Sequence, residues 1–315
     1  MHRFVLTFVS GVCLLAGLAP ERLDAQTADA VGVRARGMGG AFTAVADDST
    51  ATWWNPAGIA AGPYFNATVE VSRGREPDTQ AGNVPDGFEP PRSTGISVAY
   101  PALGLSYYRL QISEIAPLTS TADSAAGRQD GGVAVLRLRT VSLNQFGATV
   151  GQSIGRHLVV ASTVKVINAV DETHGGLDIG ALAKIGHTSF GLMVRNVTEP
   201  SFGSGTDRIV LDATVRAGIA VGLDRLTVAG DLDMVKNTGP RGDERRWAIG
   251  AEARTTGQVI EIRGGLSGDT VGDSGTSLSG GVSVAVRRGI YLDGVLVGGS
   301  DDLRRSWGIA LRLTF

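Results

Sequence analysis

Past its first 25 residues the chain has no cysteine; its single Cys13 lies in the apolar amino-terminal segment. Disulfides and thiolate metal sites are therefore excluded from the rest of the protein. The same region holds no apolar run of the ~20 residues that a transmembrane helix needs. In lipid such a chain has to be a closed barrel, because no water is there to satisfy backbone groups. Neither sign of charge prevails: the formal net charge is −2, which gives no argument for a nucleic-acid partner. Aromatic residues are 6% of the chain, thin for the two interfacial girdles of a membrane barrel. His157, His174 and His187 sit in or near different connections and have no metal-ligand spacing. No Ser/His/Asp triad is apparent. No metal, no cofactor and no enzymatic activity are expected.

What the chain does have is a leader, glycine and alternation. Arg3 is a positive start, Phe4 to Ala19 an apolar core, and Leu23-Asp24-Ala25 a small-residue cleavage site. Residues 1–25 thus read as a secretory signal, with Gln26 as the mature start. Ser10-Gly11-Val12, before Cys13, does not fit a lipoprotein site. Gly accounts for 45 of the 315 residues, about twice the usual share.

From Tyr64 onward, apolar residues recur at every second position, as in strands whose side chains alternate between faces. About fourteen such segments can be read. They span 64–73, 92–100, 102–112, 142–153, 157–168, 176–185, 188–197, 209–221, 225–235, 245–256, 258–267, 276–287, 289–298 and 304–315. Each is roughly ten residues long, enough for a tilted strand to cross a bilayer. In 209–221, for example, Ile209, Leu211, Ala213, Val215, Ala217 and Ile219 share one face. In 133–141, Leu136 and Leu138 oppose Arg137 and Arg139, then the phase is lost at Val141 and Leu143; this stretch reads as an external hairpin arm or as a strand extension beyond the membrane. Connections alternate between long ones, near 74–91, 113–141, 169–175, 198–208, 236–244, 268–275 and 299–303, and short ones near Pro101, Gly155, Gly186, Gly222, Gly257 and Gly289. Long external loops and short periplasmic turns are the pattern of an outer-membrane barrel.

The last strand carries Trp307, Ile309, Leu311, Leu313 and Phe315 on one face and Ser306, Gly308, Ala310, Arg312 and Thr314 on the other. This aromatic ending resembles the sorting signal that bacterial outer-membrane proteins show to their barrel-assembly machinery. The charges placed on the lumen face are Glu70, Arg109, Lys165, Asp178, Lys184, Arg195, Asp212, Arg216, Asp231, Asp233, Glu252, Arg254, Glu261, Arg263, Arg287, Asp293 and Arg312. Their signs nearly balance, whereas a selective ion pore concentrates one sign in a ring. Asp269, Asp273, Asp301 and Asp302 lack the EF-hand spacing and read as solvated loop charge.

Residues 32–62 read differently. Asp47, Asp48 and Ser49 favour a helix start, and a helical turn through Thr50 to Trp54 would end before Pro56. Gly37, Gly39 and Gly40 permit close packing or positive φ; Phe42 stands where a dinucleotide loop needs its third Gly, so a phosphate loop is disfavoured. Arg36-Gly37-Met38-Gly39-Gly40-Ala41, Ala46-Asp47-Asp48-Ser49 and Trp53-Trp54-Asn55-Pro56-Ala57-Gly58 resemble the amino-terminal region of the FadL-type outer-membrane transporters and the related PorV/PorQ-type proteins. The resemblance implies an all-β transmembrane antiparallel barrel of about fourteen strands, residues 63–315, filled by a plug, residues 26–62. It implies either passage of a small hydrophobic molecule, lipid or fatty-acid-like, or binding of secreted cargo protein. A monomer in outer-membrane lipid is expected.

Overall fold

The period-two segments pair edge to edge until the sheet meets itself. The computed structural model describes residues 31–75, 89–117, 136–204, 208–239, 242–257, 259–272, 275–300 and 304–315. The leader with Cys13, the start at Gln26, and the loop residues Asp273, Asp301 and Asp302 lie outside the described residues. The strands are β1 Asn66–Gly74, β2 Arg92–Tyr100, β3 Leu103–Pro117, β4 Leu136–Ile154, β5 Leu158–Ala169, β6 Glu172–Ile185, β7 Thr188–Arg195, β8 Ser201–Phe202, β9 Ile209–Val210, β10 Thr214–Gly222, β11 Leu226–Asp233, β12 Asn237–Gly239, β13 Gly242–Glu244, β14 Arg246–Arg254, β15 Ile260–Asp269, β16 Thr276–Arg287, β17 Ile290–Gly299 and β18 Ser306–Thr314. Fourteen form a closed barrel in the order β1-β18-β17-β16-β15-β14-β11-β10-β7-β6-β5-β4-β3-β2. The other four make two small sheets, β8 with β9 and β12 with β13.

Closure joins the two ends of the barrel chain. β1 and β18 run antiparallel from Asn66↔Thr314 to Gly74↔Ser306. Phe65 and Phe315 then exchange backbone hydrogen bonds of 2.9 Å in both directions. A small aromatic cluster marks this near rim: the Phe65 ring lies 5.2 Å from Tyr100 and 6.3 Å from Phe315, and Tyr64 meets Tyr100 edge-on at 6.5 Å. The girdle is partial but sits where the chain ends are joined. Tight turns close the same rim, with Gly155, Gly186, Gly257 and Gly289 at φ 67°, 61°, 83° and 81°, a region that a side chain disfavours.

The outer wall is apolar and the inner wall is not. Val69, Val71, Ile96, Leu105, Phe146, Val164, Ile262, Ile309 and Leu311 are exposed on the outside, while their chain neighbours Thr68, Glu70, Ser97, Ser106, Gln145, Lys165, Glu261 and Arg312 are buried within. A soluble sheet would reverse that order. A lipid-facing barrel requires it.

Four features depart from the sequence reading. First, 209–221 is not one strand: Ile209–Val210 pairs with Ser201–Phe202, and the barrel strand starts at Thr214. Ile209 and Leu211, expected in lipid, are buried in an interior cluster with Phe202. The chain between β7 and β10 folds inward there, so its apolar residues find other apolar side chains instead of lipid. Second, the 169–175 connection is a two-residue turn at Val170 and Asp171, φ 51° and 61°, because β5 and β6 keep pairing out to Ala169↔Glu172. Third, β3 and β4 keep pairing from Ile112↔Val141 to Pro117↔Leu136; at 15 and 19 residues they outrun the span of the other strands. The stretch is thus a strand extension, and the lost phase at Val141 and Leu143 marks a change of apolar face: both are buried on the lumen side. Fourth, Arg109 and Arg287 leave the lumen. Tyr108 and Leu110 take the buried face of β3, which turns Arg109 outward. A register shift after Ala285 sets Arg287 opposite Ile290, on the outer face.

If this outer face meets lipid, Ile309→Arg should destabilise the barrel by about 2–4 kcal/mol, read from denaturant unfolding in vesicles. A loss within a few tenths of a kcal/mol would place Ile309 outside the hydrocarbon.

Candidate functional site: the plug and the two halves of the lumen

Residues 31–62 fold inside the barrel as three short helical pieces. They are α1 Val33–Gly37, α2 Ala51–Trp54 and a 3-10 turn Pro56–Ala60. None is long enough to be stable alone in water; the wall supplies what they lack. Glu70 of β1 accepts from the backbone N–H of Gly32 at 2.7 Å and of Val33 at 3.1 Å, so a wall carboxylate caps α1. Asp231 of β11 accepts from Phe42 and Thr43 N–H at 3.0 and 2.8 Å. Ser49 N–H donates to Asn66 Oδ1 at 2.8 Å.

The firmest joint is ionic. Arg34, on α1, grips Glu252 of β14 with two parallel bonds, Nε–Oε2 2.7 Å and Nη2–Oε1 2.9 Å. It also meets Asp48 at 3.1 Å, and Asp47. Burial lowers the Arg34 pKa, but Asp47, Glu252 and Asp48 together outweigh burial and hold it well above its ordinary value. The network then runs along the wall. Arg263 bridges Glu252 at 2.6 Å and Glu261 at 2.5 Å; Arg312 bridges Glu261 at 2.9 Å and Asp293 at 3.0 Å. β14, β15, β17 and β18 thus form an ionic half of the lumen.

The opposite wall carries an apolar patch beside the buried polar residues Gln145, Thr149, Thr163 and Lys165. On β3, β4 and β5, Tyr108, Leu110, Val141, Leu143, Ile167 and Ala169 are all buried toward the lumen. Register stacks them in rows: Tyr108↔Gln145↔Ile167, then Leu110↔Leu143↔Ala169 nearer the far rim. Phe202, Ile209 and Leu211 of the inward segment join this cluster, as do Phe42, Trp53 and Trp54 of the plug. Trp53 meets Tyr108 edge-on at 5.4 Å. Arg195 stacks over Trp53 at 4.6 Å and donates to its carbonyl at 2.8 Å. Both ends of the inward segment are tied to one clamp. Lys165 pairs with Asp178 at 2.7 Å and donates to Asn196 at 2.8 Å; Asn196 donates its N–H to Asp178 and its amide to the Asp212 carbonyl.

The residues singled out in the sequence lie in two separate places. Gly37 ends α1 against Gly281, and Gly39 and Gly40 turn the chain at φ 68° and 86°. Asp47 and Asp48 hold Arg34. Trp53 and Trp54 close α2, one turn long and starting at Ala51. Asn55 caps the 3-10 turn by accepting from Ala57 N–H at 3.1 Å; its amide donates to Thr43 O at 2.8 Å and to Ala181 O of β6 at 3.1 Å. Pro56 opens that turn, Ala57 packs on Ala161 and Leu182, and Gly58 lies against the Ala46 backbone. Trp307, Ile309, Leu311, Leu313 and Phe315 face away from the plug, on the outside.

Sequence reading missed Arg34, α1 and the apolar rows. The last left a signal: β3 switches its apolar face at Tyr107-Tyr108, from Leu103, Leu105 and Tyr107 to Tyr108 and Leu110. Asp269 is also reassigned; it is buried and paired with Arg304 at 2.9 Å, not solvated.

Glycine explains the fit. Plug backbone at Met38 and Gly39 runs directly over Gly250 and Gly265, and Thr43 and Ala44 over Gly191 and Gly218. A Cβ on Gly250 would lie 2.8 Å from the Met38 Cβ and closer still to its carbonyl oxygen. Glu252→Gln should cost about 3–5 kcal/mol, the usual penalty for breaking a buried pair, without touching the backbone ladder of β14. The expected readout is higher ion conductance in planar bilayers. Unchanged stability and conductance would show that the plug does not hang on this joint.

No family model matches the chain, and no curated protein does. Solved structures do. A protein titled CymD monoaromatic hydrocarbon channel superposes with a TM-score of 0.68 at 14% identity, over 92% of this chain and 99% of that one. The toluene transporter TbuX of Ralstonia pickettii gives 0.61 at 16%, over 92% and 99%. A FadL homologue of Pseudomonas aeruginosa gives 0.58 at 12%, over 95% and 98%. These superpositions span more than nine-tenths of the chain, and its closed barrel has fourteen strands: the chain has the FadL-type fold.

Proposed function

We propose that this protein is an outer-membrane channel for a small apolar molecule and carries out no catalysis. One observation supports the reading above the rest: the apolar wall of Tyr108, Leu110, Leu143 and Ile167, facing the lumen between the plug and the far rim. Binding sites for small molecules are concave and mostly apolar, with few polar groups. The neighbouring structures titled as toluene and hydrocarbon transporters agree with this chemistry.

In the proposed orientation the far rim is extracellular and the rim with Phe65 and Phe315 periplasmic. Phe202, Ile209 and Leu211 occupy the apolar compartment in this structure. An entering ligand would displace them, which preserves apolar burial, and then meet Trp53 at the plug. Passage requires the plug to yield on its apolar side, where it is held by packing, by Arg195, by the Asn55 amide on Ala181 O and by Thr163 on Thr52 O, while the Arg34–Glu252 joint keeps it tethered.

The test is uptake of labelled toluene by a deletion strain carrying wild-type or Leu143→Asp protein. A buried unpaired carboxylate in the compartment should reduce uptake at least tenfold, the equivalent of about 1.4 kcal/mol, with heat-modifiable migration confirming a folded barrel. Equal uptake with and without the wild-type gene would sink the proposal.

A further inference from the structure

One side chain in the apolar patch of β3, β4 and β5 is out of keeping with it. Gln145 stands in the row Tyr108↔Gln145↔Ile167, and the next row toward the far rim is Leu110↔Leu143↔Ala169. These neighbours are aromatic or aliphatic, and all are buried. Gln145 is 4% exposed. Its amide makes no hydrogen bond to a described residue, yet it keeps a little surface open to the lumen. The Tyr108 ring leans the other way, over Gly95 of β2, where an added Cβ would stand 2.5 Å from Tyr108 Cδ1. An amide in an apolar setting is costly unless it is hydrogen-bonded. Met has nearly the shape of Gln and would complete the patch without that cost.

A second polar group adjoins Gln145 on its other side. Ser106 of β3 faces Gly147 of β4, two positions along from the Tyr108–Gln145 pair and so on the same face. The Ser106 hydroxyl leans over Gly147, 2.9 Å from where a Cβ would stand. It is buried and has no hydrogen-bond partner among the described residues. Beyond these two, the polar groups of this face are already used. The Thr149 and Thr163 hydroxyls pair at 2.7 Å, and Lys165 is held by Asp178 and Asn196. The edge of the apolar patch therefore offers neutral hydrogen bonds, while the adjacent cation is engaged. A ligand carboxylate would leave water there and find its charge unmet; an uncharged hydroxyl would not.

We propose that Gln145, with Ser106 beside it, selects the ligand of the channel: a small phenol, an aromatic ring with one uncharged hydroxyl. The ring lies against Leu143 and Ile167. The hydroxyl bonds to the Gln145 amide, which both donates and accepts, and Ser106 stands next to it for the remaining bond. The inference rests on the channel reading above and narrows its ligand. A site built to bond a hydroxyl rejects the analogue that lacks it, because its own buried polar groups are then left unpaired. A purely apolar pocket has the opposite preference, since the phenol has to give up its water.

The test is equilibrium binding of tritiated p-cresol and toluene, which differ by one hydroxyl, to the purified full-length barrel. The barrel is held in phosphatidylcholine nanodiscs, with empty nanodiscs as the blank. Wild type should bind p-cresol more tightly than toluene. Q145M should weaken p-cresol roughly tenfold, the equivalent of about 1.4 kcal/mol, and leave toluene equal or tighter. Q145N and S106A should each keep part of the preference. A merely structural role for Gln145 would move both ligands together. Heat-modifiable migration checks that each variant is folded, and Q145L repeats the measurement if Q145M does not fold. An unchanged cresol-to-toluene ratio in the Gln145 variants, or tighter binding of toluene by wild type, would overturn the role of Gln145 and leave the channel reading standing. Binding of neither ligand by wild type would overturn both.

Discussion

The structure depends on wall carboxylates that face inward and accept from the plug. Glu70, Asp231 and Glu252 are each 2–5% exposed, and each would be costly to bury without partners. Each receives plug donors: backbone N–H groups for Glu70 and Asp231, the Arg34 guanidinium for Glu252. The dependence is mutual. α1 has no side-chain cap within its own segment, so its first N–H groups need Glu70. A barrel closed by backbone pairing has an inner face that must be filled, and this chain fills it with a segment too short to fold alone.

Filling is not uniform, and the difference matters for function. The Arg34–Glu252 pair binds the plug to β14, and wall-to-wall ion pairs continue from it through β15, β17 and β18. Aliphatic and aromatic side chains line β3 to β5, and the segment between β7 and β10 folds in over them. On the proposed function, a tether on one side and an apolar cluster on the other would let the plug shift without leaving, and an apolar solute would not have to cross the ionic half. The glycines of the wall serve the same end, since backbone against backbone at Met38 and Thr43 leaves no side chain to be moved aside.

Much of the barrel was legible because lipid on the outside imposes a strict period of two, and β11, β14 and β18 obey it from end to end. It failed where that constraint lapses. Ile209 and Leu211 carry the pattern but belong to a segment inside the barrel, where nothing enforces a face. Arg109 follows the switch of apolar face within β3, so it sits on the outer face instead of in the lumen. In the plug, the helical turn at Ala51–Trp54 and the stop at Asn55 followed from local chemistry. The α1 helix did not, because its cap comes from Glu70, 37 or more positions along the chain. The motif around Asn55 and Pro56 is shared by transport-type and secretion-type relatives, so it did not choose between them. The apolar rows, seen only once register is known, favour transport.

The central claim is that the lumen is divided, with ligand on the apolar side. The most direct measurement is a crystal structure of the barrel soaked with bromobenzene, located by the anomalous signal of bromine. The account predicts one site among Tyr108, Leu143 and Ile167, with Phe202 or Ile209 displaced. Bromine beside Glu252 and Arg263, or none inside the barrel at saturating concentration, would contradict it.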